Sequence, residues 1–449
     1  MSNYLFNEFE GISASAWKQQ IQADLKGADY NDSLLWKTNE GITVKPFYHN
    51  DTDNETADIS SNNWNIAQLV SVKTAADGNK KALNAIEKGA ESIVFVIDSE
   101  INISELLSNI NTTTIELQFN FKLLSHKMIE DVLQLDLPQC YLNCDIIGNL
   151  AKTGNWYTSL KDDFKFIKTT ISKYPDKNIL SIDTSVYQNA GATITQQLAY
   201  AMAHANEYFN NFNEDALPKL QFITSTGGNY FFEIAKIRAL KLLFKTLSEA
   251  YGSENPDYTI LSYPSNRNKT LYDYNVNMLR TTTECMSAVL GGANTICNLP
   301  YDHIYHNSNE FGDRIARNQL LVLKNESAFD VVTNPADGAY YIESLTQQLA
   351  EKALEIFKLI EAGGGFLAQL KEGTIQRKIK ESGLKEQEQF DDGNLVLLGT
   401  NKHPNPSDKM THELEKKPFV NRESRKTLIA PITSRRISEK SDKNRLEQE

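Results

Sequence analysis

The chain has 449 residues, 40 % of them hydrophobic and 10 % aromatic, so it can bury a large core as one α/β domain with appendages. Its net charge of −12 argues against a nucleic-acid partner, because phosphates require a basic surface. The start of the chain has neither a basic n-region nor a long apolar run, and no window reaches the roughly 18 apolar residues of a spanning helix. We therefore expect a cytoplasmic protein that does not contact a membrane.

An N-terminal arm comprises residues 1–60. It contains the helical pattern SAWKQQIQADLKG. Either Ser15 or Ser13, two residues earlier, could cap this helix. After the helix the arm becomes polar and rich in turns.

Eight short β-rich runs follow the arm, and most of them precede a helical pattern. The predicted strands span 66–72, 92–98, 115–120, 139–146, 179–185, 219–225, 258–263 and 294–299. Helical periodicity appears at 79–89, 193–210, 229–250 and 273–290. This alternation predicts an α/β fold with a (β/α)8 TIM barrel over residues 61–400. A doubly wound sheet is the alternative, but no Gly-x-Gly-x-x-Gly follows the first strand, and Gly363, Gly364 and Gly365 resemble the C-cap of a helix.

The polar C-terminal tail, residues 401–449, follows a long predicted helix at 340–362 and lacks apolar periodicity. Beyond residue 402 it carries eleven Lys and Arg against eight Asp and Glu, so it is positive within an acidic chain. Such a tail is usually solvated and disordered. Alternatively, its apolar pairs Phe419-Val420 and Leu428-Ile429 dock on a partner.

Four cysteines, Cys140, Cys144, Cys285 and Cys297, are too few for a disulfide framework and would stay reduced in the cytoplasm. Cys140 and Cys144 are four residues apart on a predicted strand, which puts both on one face. Buried packing is favoured over metal or redox chemistry.

Residues 273–302 read DYNVNMLRTTTECMSAVLGGANTICNLPYD, an amphipathic helix halted by two glycines and followed by a short apolar strand. This segment closely resembles the methylmalonyl-CoA mutases, whose equivalent run is Arg-Thr-Thr-x-Glu-Ala-Met-x-Ala-Val-Leu-Gly-Gly. Further matches lie at 227–239, 314–327 and 338–366, so the resemblance covers roughly residues 1–400.

The resemblance implies an adenosylcobalamin-dependent radical isomerase, but the family's catalytic side chains are replaced. The family has an adjacent Tyr-His pair before Gln-Glu-Ala-Gly-Ala-Thr, and here Ser185 and Val186 occupy those positions. Valine has no hydrogen-bond donor, and serine is too small to fill a radical pocket. None of the seven histidines lies in the Asp-x-His-x-x-Gly run of the family's flavodoxin-like cobalamin domain, and we expect that domain to be absent. We therefore expect no catalytic, cofactor-binding or metal-binding residue here.

These losses imply the small, non-catalytic subunit of a heterodimeric mutase that serves propionate metabolism. The large subunit would bind adenosylcobalamin and the acyl-CoA, and would interconvert (R)-methylmalonyl-CoA and succinyl-CoA, while the arm would contact it as it does in the family. Two alternatives remain. The chain could be an active acyl-CoA-binding barrel that pairs with a separate cobalamin-binding chain, or a transient scaffold or chaperone of the mutase.

Two polar clusters near the predicted strand ends could carry other chemistry. His303 and His306, with Asp302, follow the eighth strand and could form a metal or acid–base site, although histidines in a surface loop are the plainer interpretation. Ser225 to Gly228 could cradle a phosphate, but a packed glycine turn is favoured.

The residues around Ser185 have plain interpretations as well. Asp183 could be catalytic, but a carboxylate at a strand end more often caps a loop. Tyr187 is the one acidic proton donor beside the replaced pair, and it lies one residue past the position of the family's histidine. It could substitute for the pair, but this is the less favoured interpretation.

Overall fold

The computed structural model describes residues 8–51, 63–212, 217–420 and 425–449, and its centre is a closed barrel of parallel strands. A hairpin precedes the barrel, formed by β1 (Trp36–Lys37) and β2 (Thr43–Val44). The barrel strands are β3 (Asn65–Val72), β4 (Ser92–Ile97), β5 (Glu116–Phe121), β6 (Cys140–Cys144), β7 (Asn178–Asp183), β8 (Leu220–Thr226), β9 (Tyr258–Pro264) and β10 (Thr295–Cys297). They run in chain order, and β10 pairs with β3 to close the ring. The predicted (β/α)8 fold is confirmed, and each predicted strand overlaps an observed one.

Helices surround this barrel and also occur in the arm and the tail. They are α1 (Ala14–Asp24), α2 (Tyr30–Leu34), α3 (Ala75–Glu87), α4 (Ile103–Leu106), α5 (His126–Gln134), α6 (Ile146–Thr153), α7 (Leu160–Lys173), α8 (Ser185–Gln188), α9 (Ile194–Phe212), α10 (Tyr230–Ala250), α11 (Val276–Leu290), α12 (Glu310–Leu321), α13 (Tyr340–Ala362), α14 (Phe366–Lys371), α15 (Thr374–Asp391) and α16 (Glu439–Leu446). A π-helical turn, Val322–Glu326, extends α12. Within the described ranges, no helix is both long and apolar enough to cross a bilayer.

The strands are apolar on both faces because both faces are covered. In β4, Ile93, Phe95 and Ile97 belong to the large core that includes the surrounding helices. Val94 points the other way and joins a separate cluster of side chains from β3, β8, β9 and β10. Since alternate residues of a strand face opposite sides of a sheet, this second cluster occupies the barrel interior. The interior of the barrel is therefore filled by this apolar cluster together with buried polar side chains such as Gln118 of β5.

A buried carboxylate lies near the amino end of the barrel interior. Glu116 of β5 accepts hydrogen bonds from Ser92 Oγ at 2.8 Å and from Gln118 Nε2 at 2.9 Å. It also accepts from Thr295 Oγ1 at 2.9 Å and from Asn65 Nδ2 at 3.1 Å. Four donors on β3, β4, β5 and β10 thus satisfy one charge that would otherwise be costly to bury.

The described part of the arm packs on the barrel through some of its aromatic side chains and exposes others. Ser13 is the N-cap of α1, which confirms the second of the two predicted caps. Trp36 contacts Phe232 of α10 edge-on, yet half of its surface remains exposed. Phe9 and Trp17 are 69 % and 48 % exposed. The arm therefore holds apolar surface that its own barrel does not cover.

The tail differs from the expectation of a solvated segment. Residues 425–449 pack against the barrel, and Ile429, Ile432 and Ile437 are buried there. Of the predicted docking pair, Ile429 is buried and Leu428 is 70 % exposed. Composition suggested a disordered tail because its few apolar anchors are spaced far apart among charged residues.

Hydrogen bonds fix the tail to α6 and to the segments that follow β7 and β9. Its backbone N–H groups donate to barrel carbonyls, from Ile432 to Ala151 at 2.8 Å, from Arg435 to Asn189 at 2.9 Å and from Ile437 to Arg267 at 2.8 Å. The tail thereby connects three segments of the barrel that lie after different strands.

A fully buried ion pair lies behind β9. Lys269 Nζ is 2.7 Å from Glu284 Oε2 of α11, and both side chains have no exposed surface. Burial lowers the pKa of Lys269 and raises that of Glu284, and in each case the partner's charge opposes the shift. Each charge is therefore stabilised by the other, because neither side chain is exposed to water.

Replacing Glu284 with alanine is expected to lower the free energy of unfolding by about 3–5 kcal/mol, because it leaves the Lys269 ammonium buried without a counter-charge. Urea denaturation followed by circular dichroism measures the loss. The control is Glu381→Ala, which breaks exposed pairs with Arg377 and Lys378 and should cost far less, because water screens these charges. Equal losses in the two variants would contradict this account.

Candidate functional site

The carboxyl end of β7 is where the sequence places the replaced pair. Ser185 begins α8, directly after the strand, and its side chain donates to the carboxylate of Asp183. The Ser185 N–H also donates to Asp183 Oδ1 at 3.1 Å. Asp183 therefore caps this loop, as the plainer interpretation predicted. Its carboxylate also holds the Ser185 hydroxyl in a hydrogen bond.

The two residues after Ser185 turn into the protein. Val186 is 8 % exposed and belongs to the main core. Tyr187 is fully buried, with its hydroxyl 3.0 Å from Nδ1 of His204 on α9. Burial raises the pKa of Tyr187 well above its ordinary value. Tyr187 thus faces the helix layer, which does not fit the hypothesis that it substitutes for the replaced pair.

A buried network lies behind Tyr187. His204 Nε2 is 3.0 Å from Asp145 Oδ1, and the hydroxyl of Tyr208 donates to the same oxygen at 2.7 Å. Asp145 also accepts from the N–H groups of Gly148 and Asp183. Burial alone would raise the pKa of Asp145, but His204 and these N–H groups bring it below its ordinary value. The network ties β6, β7 and α9 together.

Sequence reasoning did not single out this network. The available signal was the spacing of His204 and Tyr208, one turn apart in a helix that is otherwise apolar on that face. Their shared partner, Asp145, lies at the end of another strand, and no local pattern reveals that contact.

The histidines after β10 are engaged separately. His303 Nδ1 lies 2.7 Å from the Pro300 carbonyl, and its Nε2 contacts Asn266. His306 Nδ1 lies 3.0 Å from Asp302. Burial lowers the pKa of His303 to about 4. Across the described ranges no group of three metal-binding side chains occurs, so this loop resembles a packed turn.

The Ser225–Gly228 turn is also packed, and a carboxylate faces it. Lys236 of α10 donates to the Ser225 carbonyl and forms an ion pair with Glu233. A side chain at Gly227 would lie 3.2 Å from Glu233 Oε1. Because the Glu233 side chain lies this close to Gly227, the turn is packed, as the favoured interpretation predicted, and has little room for a phosphate.

Above this turn is a cavity of about 890 Å³, bounded by the arm, α8, α10 and α15. Glu40 from the arm lines it and accepts from the Thr195 N–H at 2.8 Å. Burial raises the pKa of Glu40, so this carboxyl group holds its proton more strongly than an exposed one. Glu233 lines the same cavity but is neutralised by Lys236. The cavity can therefore hold polar groups by hydrogen bonds.

The cysteines carry no reactive thiol. Cys140 and Cys144 are both buried, as predicted, and all four cysteines are free. Burial raises the pKa of the Cys140 and Cys144 thiols to about 12, so the nucleophilic thiolate is scarce.

Comparison with known proteins identifies the same family as the sequence motifs. The sequence model of methylmalonyl-CoA mutase matches residues 109–448. The methylmalonyl-CoA mutase small subunit of Porphyromonas gingivalis is 33 % identical over 89 % of this chain and 71 % of its own length. Methylmalonyl-CoA mutase of Cereibacter sphaeroides is 29 % identical over 86 % of this chain and 64 % of its own length. The large subunit of Porphyromonas gingivalis is 31 % identical over 56 % of this chain and 36 % of its own length.

The low pKa of His303 predicts a pH dependence of stability. The unfolded chain binds a proton on this histidine near pH 6.5 and the folded chain near pH 4, so the stability contribution is full above pH 6.5 and is lost as pH falls towards 4. His303→Gln should reduce this loss, as measured by urea denaturation at several pH values in that window. His412→Gln, which changes an exposed histidine, is the control. Parallel pH profiles for the native chain and His303→Gln would refute this assignment.

Proposed function

Because the chain belongs to the methylmalonyl-CoA mutase family, we propose that it is the small, non-catalytic subunit of a heterodimeric mutase. A large subunit would bind adenosylcobalamin and the acyl-CoA and interconvert (R)-methylmalonyl-CoA and succinyl-CoA. The role of this chain is to hold and stabilise that subunit in the cytoplasm, within propionate metabolism. The Porphyromonas relatives carry small-subunit and large-subunit names, which supports such a pairing.

The observation that carries this proposal is the state of Ser185 and Val186. In the family these two positions hold tyrosine and histidine, which shield the radical and bond the thioester. Here the serine hydroxyl is occupied by Asp183, and the valine is part of the core. Neither side chain can replace the pair, because both are fixed by contacts within this chain.

The filled barrel interior supports the same conclusion. A catalytic mutase barrel must admit the pantetheine chain of its substrate, whereas here Val94, Leu261 and Cys297 have no exposed surface. Tyr263 packs against this cluster from the end of β9. A substrate chain along the axis would have to displace these side chains, at the cost of their packing.

Three of the histidines are not available as cobalt ligands. His204, His303 and His306 each contact a side chain or carbonyl of this protein. None of the seven histidines follows the family's cobalt-binding pattern. Cofactor binding is therefore assigned to the large subunit.

Co-expression with a large mutase subunit tests the proposal. We expect the two chains to co-elute in gel filtration and to interconvert the two CoA esters together, while this chain alone shows no turnover. The double variant Ser185→Tyr, Val186→His should also be inactive alone, because two side chains cannot restore the positioning of substrate and cofactor. Its folding is checked by circular dichroism.

Two outcomes would support other functions. Turnover by this chain together with a separate cobalamin-binding protein would indicate an active acyl-CoA-binding barrel. Full activity of the large subunit alone, with association lost during gel filtration, would indicate a transient scaffold or chaperone. Either result would overturn the proposed role.

The arm supplies the part of the chain that we propose contacts the partner. Phe9 and Trp17 remain largely exposed, and large aromatic side chains are enriched at interface anchors. Tyr4, Leu5 and Phe6, which complete the aromatic pattern in the sequence, lie outside the described residues. Trp36 is less suited, because it also packs on Phe232 of its own barrel.

Replacing Phe9 and Trp17 with alanine should weaken the complex at least about tenfold, which corresponds to about 1.4 kcal/mol, and leave the melting temperature of the isolated chain unchanged. Analytical ultracentrifugation measures the affinity. Leu135→Ala is the matched control, since this exposed side chain lies at the end of α5, outside the arm and the tail. A lowered melting temperature with unchanged affinity would show that the arm packs only on its own barrel.

A further inference from the structure

A second large cleft lies between α15 and the C-terminal tail, apart from the replaced catalytic pair. Its volume is about 990 Å³. One wall is the α15 segment 376–387, and the other comprises tail residues 430–436 and the start of α16. Arg267, from the loop after β9, completes the lining.

The cleft is basic although the chain is acidic. Seven of the described lining side chains are Arg or Lys and one, Glu439, is acidic, whereas the whole chain has a net charge of −12. Carboxylates beside the lining pair with four of the seven, which are Arg267, Arg377, Arg436 and Lys443. Glu439 already has a hydrogen-bond partner, because its Oε1 accepts from the Val420 N–H at 2.9 Å. A local concentration of positive charge in a concave site attracts anions.

Some of these cationic side chains are held by contacts within the protein, and others are free to contact a ligand. Arg267 and Arg436 are each 7 % exposed and form hydrogen bonds with the tail and neighbouring loops. Among the described residues, Lys380, Arg435 and Lys440 form no ion pair, and all three are exposed. Arg436 is not available to a ligand, because its guanidinium pairs with Asp442. The cleft thus offers three exposed cations that form no ion pair with a described carboxylate.

The other half of the lining is apolar. Ile379 and Ile432 lie at the base of the two walls and are buried, and Phe419 is partly covered. Leu384 of α15 is 53 % exposed. A simple inorganic anion would leave this apolar surface in water, whereas an organic group attached to phosphate would cover it.

We infer that this cleft binds a phosphorylated organic molecule of nucleotide size, with its phosphates on Lys380, Arg435 and Lys440 and its organic body against Leu384 and Phe419. Adenosine diphosphate and coenzyme A share this chemistry, since both carry a diphosphate on an adenosine. The site lies on this chain alone and does not depend on the proposed assembly with a large subunit.

Isothermal titration of the full chain with ADP, CoA and inorganic pyrophosphate tests the inference. ADP or CoA should bind more tightly than pyrophosphate, and affinity should fall as salt rises, because exposed charges are screened. Equal affinities for ADP and CoA would assign the site to the adenosine diphosphate that they share. A preference for CoA of more than about tenfold would assign it to CoA esters.

Charge reversal locates the binding site. Lys380→Glu combined with Lys440→Glu should weaken ADP or CoA at least about tenfold, whereas Lys80→Glu, on α3 away from the cleft, should change it less than about twofold. Leu384→Ser should weaken the organic phosphates and leave pyrophosphate unchanged. The inference is overturned if neither ADP nor CoA binds at millimolar concentration, or if the double variant binds as tightly as the native chain.

Discussion

Closure of the barrel depends on the buried carboxylate of Glu116. The last strand, β10, contributes only three residues, and its pairing with β3 is the seam that closes the ring. Thr295 and Asn65 face each other across that seam, and both donate to Glu116 from the barrel interior. The positions of all the loops at the carboxyl end follow from this closure, because each loop begins at a strand end.

At that carboxyl end, side chains that could act on a substrate are instead committed to structure. Ser185 bonds to Asp183, and Tyr187 points to His204 in the helix layer. The strand ends of a TIM barrel usually carry catalytic groups, whereas here they carry caps and packing. A barrel of this kind suits the proposed role, in which this chain contributes shape and surface.

The sequence predicted the fold closely because the signals for it are local. Alternation of short apolar runs with helical periodicity marks each β-α unit, and two glycines mark the end of α11. The replacement of the catalytic pair by Ser185 and Val186 stays a prediction from two adjacent positions of the sequence. Interactions between distant segments could not be predicted. The Asp145 contact with Tyr208 joins residues 63 apart, and the burial of Ile432 and Ile437 depends on a barrel surface that the tail's composition does not reveal.

The path of the tail has a consequence for synthesis of the chain. Ile437 and Arg435 donate to the loops at Arg267 and Asn189, which emerge from the ribosome much earlier. Domains fold as the chain appears, so the eight strands can associate while these two loops still lack their connection. The loops can be joined only after residue 437 has left the exit tunnel. Until then a nascent barrel exposes the apolar surface that later covers Ile429 and Ile432.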